Sequence, residues 1–351
     1  FFGRETLVIR LTETVTNRRL TAVVGSSGSG KSSVVKAGLV PAVRGGALDG
    51  DWIVAQMFPG TFPFEELAAA LLKVAVDRPD GLMAELTADE RGMLRVVKRV
   101  LPDDGTGLLL VIDQFEELFS LTADGDTRRL FLDNLVTLAE DARSRVRTVV
   151  TLRADFFGRP LEHPEFAELL QRGLVTVAMP DKDSLAQMVS QPARQAGLDL
   201  EPGLVTEVVR DVIEQPGGLP LMQYALTELA ERSDGRTLTL DGYCESGGVL
   251  GALGQRAEEV FQDLQPSAQA VAERIFLRLV TVDESADDTR RRTRRSELTA
   301  LGMGRGAGDT VLQEFGSFRL LWFDHDPTTR GPSVEVALEA LFGEWPRLRG
   351  W

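Results

Sequence analysis

At 351 residues, with 43% hydrophobic and 26% charged side chains, the chain can hold two or three domains with cores of their own and has an ordinary globular composition. The longest purely aliphatic run, Leu108–Ile112, excludes a membrane-spanning helix; a single cysteine, Cys244, excludes an internal disulfide; two histidines, His163 and His325, argue against a histidine-built zinc site. A net charge of −14 argues against non-specific nucleic-acid binding by the whole surface, and a reducing cytoplasm is the expected compartment.

The first half alternates short apolar strands, predicted at 20–25, 52–57, 108–113, 147–152 and 174–178, with helices at 31–43, 64–76, 89–100 and 127–142. This alternation predicts an α/β fold, a parallel sheet covered by helices on both faces, with ligands beyond the carboxyl ends of the strands. The first strand runs into Gly25, Ser26, Ser27, Gly28, Ser29, Gly30, Lys31, Ser32 and Ser33, which has the spacing of a P-loop. Glycines let backbone N–H groups turn inward around a phosphate, Lys31 can reach the β- and γ-phosphates, and the Ser32 hydroxyl can join a Mg²⁺ shell. The chain has five lysines against 34 arginines, so a Gly-Lys-Ser at this spacing is selective, and a nucleoside triphosphate is the expected ligand.

The third strand ends at Asp113, where a carboxylate can hold Mg²⁺ through water, so Ser32 and Asp113 are the metal candidates. Just past it, Glu116 and Glu117 offer a group to orient or deprotonate an attacking water; the alternative is that both only solvate or cap a helix. Many P-loop ATPases carry this glutamate directly after the aspartate, where this chain has Gln114, so either the base comes later or hydrolysis is slow. The fourth strand ends at Arg153, whose planar fork suits a γ-phosphate; a plain surface arginine paired with Asp155 is the competitor.

After Pro180 the strands stop, and helices are predicted at 183–196, 203–214, 219–232, 250–264 and 267–281. A charged, flexible segment at 283–295 contains the run Arg290–Arg295, read as a solvated linker or else as an anion, subunit or nucleic-acid contact. The remainder predicts helices at 296–302 and 309–316, strands at 318–324 and 332–336, and a terminal helix from Ala337, an order that resembles a winged helix with Trp322, Trp345 and Trp351 in its core.

Together these residues resemble the bacterial branch of the STAND class of signal-transduction P-loop ATPases, related to the AAA+ group. The opening Phe2, Gly3, Arg4 and Glu5 is similar to a leading signature that lies against the adenine in relatives. Asp113–Phe119 looks like the Walker B segment, Leu152–Phe157 the sensor strand, Gly217–Leu221 the helical-domain loop whose proline, Pro220, touches the adenine, and Ala337–Leu348 the closing winged-helix motif. One departure stands out: relatives carry a histidine at the position of Leu338, where it can contact the bound diphosphate, and a leucine cannot.

The resemblance implies a P-loop nucleotide-binding domain (1–180), an all-α helical lid (181–265) and a winged-helix domain (266–351). It implies ATP or ADP with Mg²⁺ as cofactors, and catalytic roles for Lys31, Asp113, Glu116, Glu117 and Arg153. The implied activity is a molecular switch that hydrolyses ATP slowly and controls self-association and effector activation. The effector and sensor domains are expected outside this stretch of chain, which opens at Phe1 and reads as an excised fragment; no membrane and no nucleic acid are expected as partners. Two alternatives stay open: an ATP-dependent nucleic-acid initiator or loader, and a nucleotide-gated scaffold without turnover.

Overall fold

A computed structural model describes residues 2–75, 80–213, 215, 217–233, 235–281, 289–300, 306–325 and 331–351. Phe1, residues 283–288 of the charged segment and the helix ends expected at 76, 214 and 301–302 lie outside them. The chain divides into two units, Phe1–Ser184 and Leu185–Trp351.

In the first unit, α1 (Glu5–Asn17) precedes β1 (Leu20–Gly25), and α2 (31–44) follows it. Then come β2 (Trp52–Met57), α3 (Pro63–Leu72), α4 (Leu82–Leu86), α5 (Gly92–Val100), β3 (Gly107–Ile112), α6 (Glu117–Ser120), α7 (Gly125–Glu140), β4 (Val146–Arg153), α8 (Pro164–Arg172) and β5 (Leu174–Thr176). The strands form one parallel sheet in the order β2-β3-β4-β1-β5, so β4 separates the strand of the P-loop from the strand of Asp113.

The period-2 pleat explains why β3 reads as an unbroken apolar run. Leu108, Leu110 and Ile112 face one core, with Phe64, Leu71, Phe131 and Phe166 from α3, α7 and α8. Leu109 and Val111 face the other, with Leu11 and Val15 of α1 and Val34, Val35 and Leu39 of α2. Each such fully buried side chain contributes roughly 1.5–3 kcal/mol.

The expected strands and helices are present in this unit with shifted ends. The helix α1 was absent from the sequence expectation. The helix predicted at 64–76 stops at Leu72, and that at 89–100 starts at Gly92, preceded by the unexpected α4. The helix predicted at 127–142 starts earlier because Asp124 caps it, its carboxylate accepting from Asp126 N and Thr127 N. The fifth strand is shorter than 174–178.

In the second unit, α9 (Lys182–Gln195) leads to α10 (Leu204–Ile213), α11 (Gly218–Arg232), α12 (Leu240–Glu245), α13 (Gly248–Asp263) and α14 (Pro266–Arg278). Short strands β6 (Asp199–Leu200) and β7 (Thr237–Leu238) pair in parallel, and β8 (Val280–Thr281) pairs antiparallel with β9 (Thr289–Arg290). The last part holds β10 (Thr293–Arg294), α15 (Arg295–Ala300), α16 (Ala307–Ser317), β11 (Leu321–His325), β12 (Pro332–Val336), α17 (Leu341–Glu344) and α18 (Pro346–Gly350), with an antiparallel sheet ordered β10-β12-β11. The segments expected as lid and winged helix pack on one shared apolar cluster that runs from Leu185 to Leu348.

Four expectations are corrected here. Strands do not stop after Pro180: β6 and β7 pair within 181–265, so the stretch expected as an all-α lid holds a short parallel ladder, joined by Asp199 N to Arg236 O (2.7 Å) and Glu201 N to Leu238 O (3.0 Å). The described end of the charged segment forms β9 and β10 instead of a flexible linker, and Arg292 and Arg295 pair with Glu335 (3.4 Å) and Asp309 (3.0 Å). No continuous helix starts at Ala337: the chain turns there, then forms α17 and α18, separated because Trp345 is extended (φ −103°, ψ 98°) before Pro346. Trp345 is fully buried as expected, but Trp322 is 59% exposed, since β11 is a sheet edge and its alternation sends Leu321 inward. Leu338 packs partly buried against the shared cluster.

Candidate functional site

The parallel sheet brings Gly25, Asp113 and Arg153 to its carboxyl edge. Gly25 pairs in register with Arg153, and Asp113 follows the last residue of β3. Two features of the loop require glycine. A Cβ on Gly25 would lie 2.5 Å from the Val177 carbonyl oxygen and 2.7 Å from Ser29 Oγ, and Gly30 takes a left-handed conformation (φ 88°) just before α2. Ser26, Ser27 and Ser33 are exposed, Gly28 (φ 70°) is half-buried, and Ser29 is fully buried with its Oγ lacking a hydrogen-bond partner. Lys31 is buried and folds back on the loop, donating to Gly25 O (3.0 Å) and Ser26 O (2.8 Å). Burial pushes its ammonium below the usual lysine range, against the opposing pull of Glu116.

Asp113 is the hub of the edge. Its Oδ1 accepts from Ser32 Oγ (2.7 Å), Thr151 Oγ1 (2.5 Å) and Gln114 N (3.1 Å), while its Oδ2 pairs with Lys36 Nζ at 2.6 Å. Burial pushes its carboxyl up, but the bonds from Lys36, Thr151 and Ser32 outweigh that and hold it below the usual carboxylate range. The next residue, Gln114, is left-handed (φ 54°), an uncommon state for a non-glycine, and its N–H is held by Thr151 Oγ1 at 2.9 Å.

The two glutamates have different partners. Glu116 accepts from Arg153 N (3.2 Å), and burial raises its carboxyl above the usual range despite Lys31 and Arg153 nearby. Glu117 instead accepts from Gly60 N (3.1 Å) on the loop after β2. Arg153 makes a two-pronged pair with Asp155, from Nε at 3.1 Å and Nη2 at 2.8 Å.

Of the opening signature, Arg4 reaches the loop, donating from Nη2 to Ser29 O (3.1 Å), and its guanidinium is lowered by burial while Asp181 opposes. Gly3 is buried, with its N–H on Glu5 Oε1 (3.1 Å); Phe2 is half-buried and Glu5 exposed. Pro220 belongs to the second unit, as the third residue of α11 after the left-handed Gly217 (φ 72°), where a missing N–H costs nothing.

The residues fit the groups the sequence implies. The Gly25 cradle and the orphaned Ser29 hydroxyl suit a phosphate, and Ser32 with Asp113 supplies the hard oxygen donors a Mg²⁺ ion takes. Among the described residues no group of three or more His, Cys, Asp or Glu is placed to hold a metal ion.

Sequence reasoning missed Thr151, Lys36 and Phe58, whose ring lies 4.8 Å from Lys36 Nζ. Lys36 lies four places beyond Ser32, on the same helix face, and so meets the same carboxylate. Here Val34–Leu39 is π-helical, a wider turn ahead of Pro41, whose ring would oppose the residue 37 carbonyl. The signal available for Lys36 was its four-residue spacing from Ser32 in α2.

A family model described as Novel STAND NTPase 1 matches residues 1–351. The ORC1 protein of Aeropyrum pernix, solved in complex with DNA, is similar with a TM-score of 0.52 at 16% identity, over 98% of this chain and 93% of that chain. The ORC2 protein of the same organism, solved as ADPNP-ADP complexes, gives 0.52 at 14% identity, over 96% and 90%. At such identities the likeness is one of fold alone. No curated protein matches the chain by sequence. No helix among the described residues is long and apolar enough to cross a membrane.

Proposed function

Because the chain belongs to the Novel STAND NTPase 1 family, we propose that it is an ATP/ADP-dependent molecular switch with slow hydrolysis. The observation that carries this is the meeting of the P-loop with Asp113: Ser32, leaving the loop beside Lys31, donates to Asp113 across the width of β4.

In this mechanism the loop N–H groups cradle the phosphates, and Lys31 leaves the carbonyls of Gly25 and Ser26 for phosphate oxygens. Ser32 and Asp113 would hold Mg²⁺, which when bound supplies neutralising charge to the phosphates. Glu116, desolvated beside Lys31, accepts the proton of the attacking water, while Glu117 holds the Gly60 loop. Arg153 exchanges Asp155 for a γ-phosphate and so reports its presence. Residues 181–265 act as lid, with Pro220 on the adenine, and 266–351 as winged helix. Self-association and effector control follow if ATP and ADP bind two arrangements with different affinity.

Two measurements test this. Nucleotide released from the purified protein by denaturation is expected to be ADP or ATP. Lys31→Ala is expected to abolish tight triphosphate binding in calorimetry; unchanged affinity would refute the assignment. The initiator alternative is weakened by the net charge and by the pairing of Arg292 and Arg295 with acids, and a DNA titration lacking steep salt dependence would remove it. Phosphate release equal to that of Asp113→Ala would favour the scaffold without turnover.

A further inference from the structure

Lys36 has no place in the mechanism above, yet it holds the site's central carboxylate. Asp113 Oδ1 already receives Ser32, Thr151 and the Gln114 amide. Its other oxygen, Oδ2, is buried, and the contact it makes is the 2.6 Å ion pair with Lys36. A cation that uses this carboxylate meets an ammonium already seated on it. The side chain is 41% exposed, its Nζ lies over the Phe58 ring, and its four-carbon stem leaves it free to swing toward water. Lys36 lies four residues after Ser32, on the helix face that meets Asp113.

We infer that Lys36 is a built-in counter-cation of Asp113 that competes with the divalent ion, so that it sets the Mg²⁺ concentration at which nucleotide is held. This rests on the nucleotide-binding reading above. With Lys36 seated, the buried carboxylate is compensated and the edge is stable without metal. With Mg²⁺ bound, two like-signed groups contend for one carboxylate, and the ammonium is displaced toward solvent. The site therefore requires more Mg²⁺ than the same donors would without Lys36.

The test uses the whole chain stripped with EDTA and a fluorescent ADP, titrated with Mg²⁺. Lys36→Gln is expected to lower the Mg²⁺ concentration for half-maximal binding by about tenfold, the effect of one partly exposed charge at contact distance. Lys36→Arg, which keeps the charge, is expected to stay within about threefold of wild type. An unchanged or raised midpoint in Lys36→Gln overturns the inference.

A second readout works on wild-type protein and serves if Lys36→Gln does not fold. With only five lysines in the chain, selectively ¹³C-labelled lysine gives a short list of side-chain signals, and loss of one in Lys36→Arg assigns Lys36. Its Cε signal is expected to move as Mg²⁺ and ADP load; a stationary signal refutes displacement. Absence of any nucleotide binding by wild type, with or without Mg²⁺, instead overturns the nucleotide reading, and the inference falls with it.

Discussion

Thr151→Val probes the Asp113 hub while nearly preserving volume. Thr151 is 1% exposed, and its hydroxyl donates to Asp113 Oδ1 at 2.5 Å and accepts from Gln114 N at 2.9 Å. Loss of a bond to a charged acceptor costs about 1.5–3 kcal/mol and loss of the amide bond about 1 kcal/mol. The valine methyl returns about 0.8 kcal/mol. The net expectation is destabilisation by roughly 2–3 kcal/mol, or about 5–10 °C in Tm for a unit of this size. Both bonds also restrain the left-handed Gln114, so its amide is expected to exchange with solvent faster in the variant. Urea unfolding followed by circular dichroism reads the first effect as a lower midpoint at unchanged slope, and hydrogen exchange reads the second. A loss below about 0.5 kcal/mol together with unchanged exchange at Gln114 would show that the hub is not what holds this edge.

The division between the glutamates is open to a direct comparison of phosphate release. Glu116→Gln is expected to slow it by about 10²–10³-fold at intact nucleotide affinity, whereas Glu117→Gln stays within about tenfold; the reverse order would exchange their roles. Asn134 is fully buried in α7, accepts from Met93 N and donates to Asp89 O and Leu130 O, so Asn134→Ala should cost about 2–3 kcal/mol in thermal or urea unfolding. In the second unit, Arg347 is the main cause that holds Glu258 down to about 2 from 4.5, with burial opposing and Gln262 and Trp345 assisting. A depressed carboxyl contributes stability above its unfolded value and loses it as pH falls. Glu258→Gln is therefore expected to lie about 1 kcal/mol below wild type at neutral pH, after allowance for solvent screening, with the gap closing as pH falls from 4.5 toward 2. A gap independent of pH would refute the ion-pair origin.

The P-loop and the Asp113 strand were legible from sequence because their physics is local. Glycine spacing, one lysine and one serine specify the loop, and an apolar run ending in an acid specifies a strand buried on both faces. Alternation of strands and helices likewise determined a parallel sheet and the edge at which Gly25, Asp113 and Arg153 meet. Residue types alone left the two glutamates equivalent. In the tertiary structure they have different partners, Glu116 the Arg153 amide and Glu117 that of Gly60. Thr151 reads as one more residue of an apolar strand until β4 is laid beside β3, and Trp322 reads as core until β11 proves to be a sheet edge. Lys36 shares a helix face with Ser32 four residues earlier, but its partner is known only once α2 is laid beside the end of β3. Sequence by itself determined which groups this protein has for a nucleotide; the tertiary structure decided which of them touch, because contacts between strands, and between a strand end and a helix, are not written in local spacing.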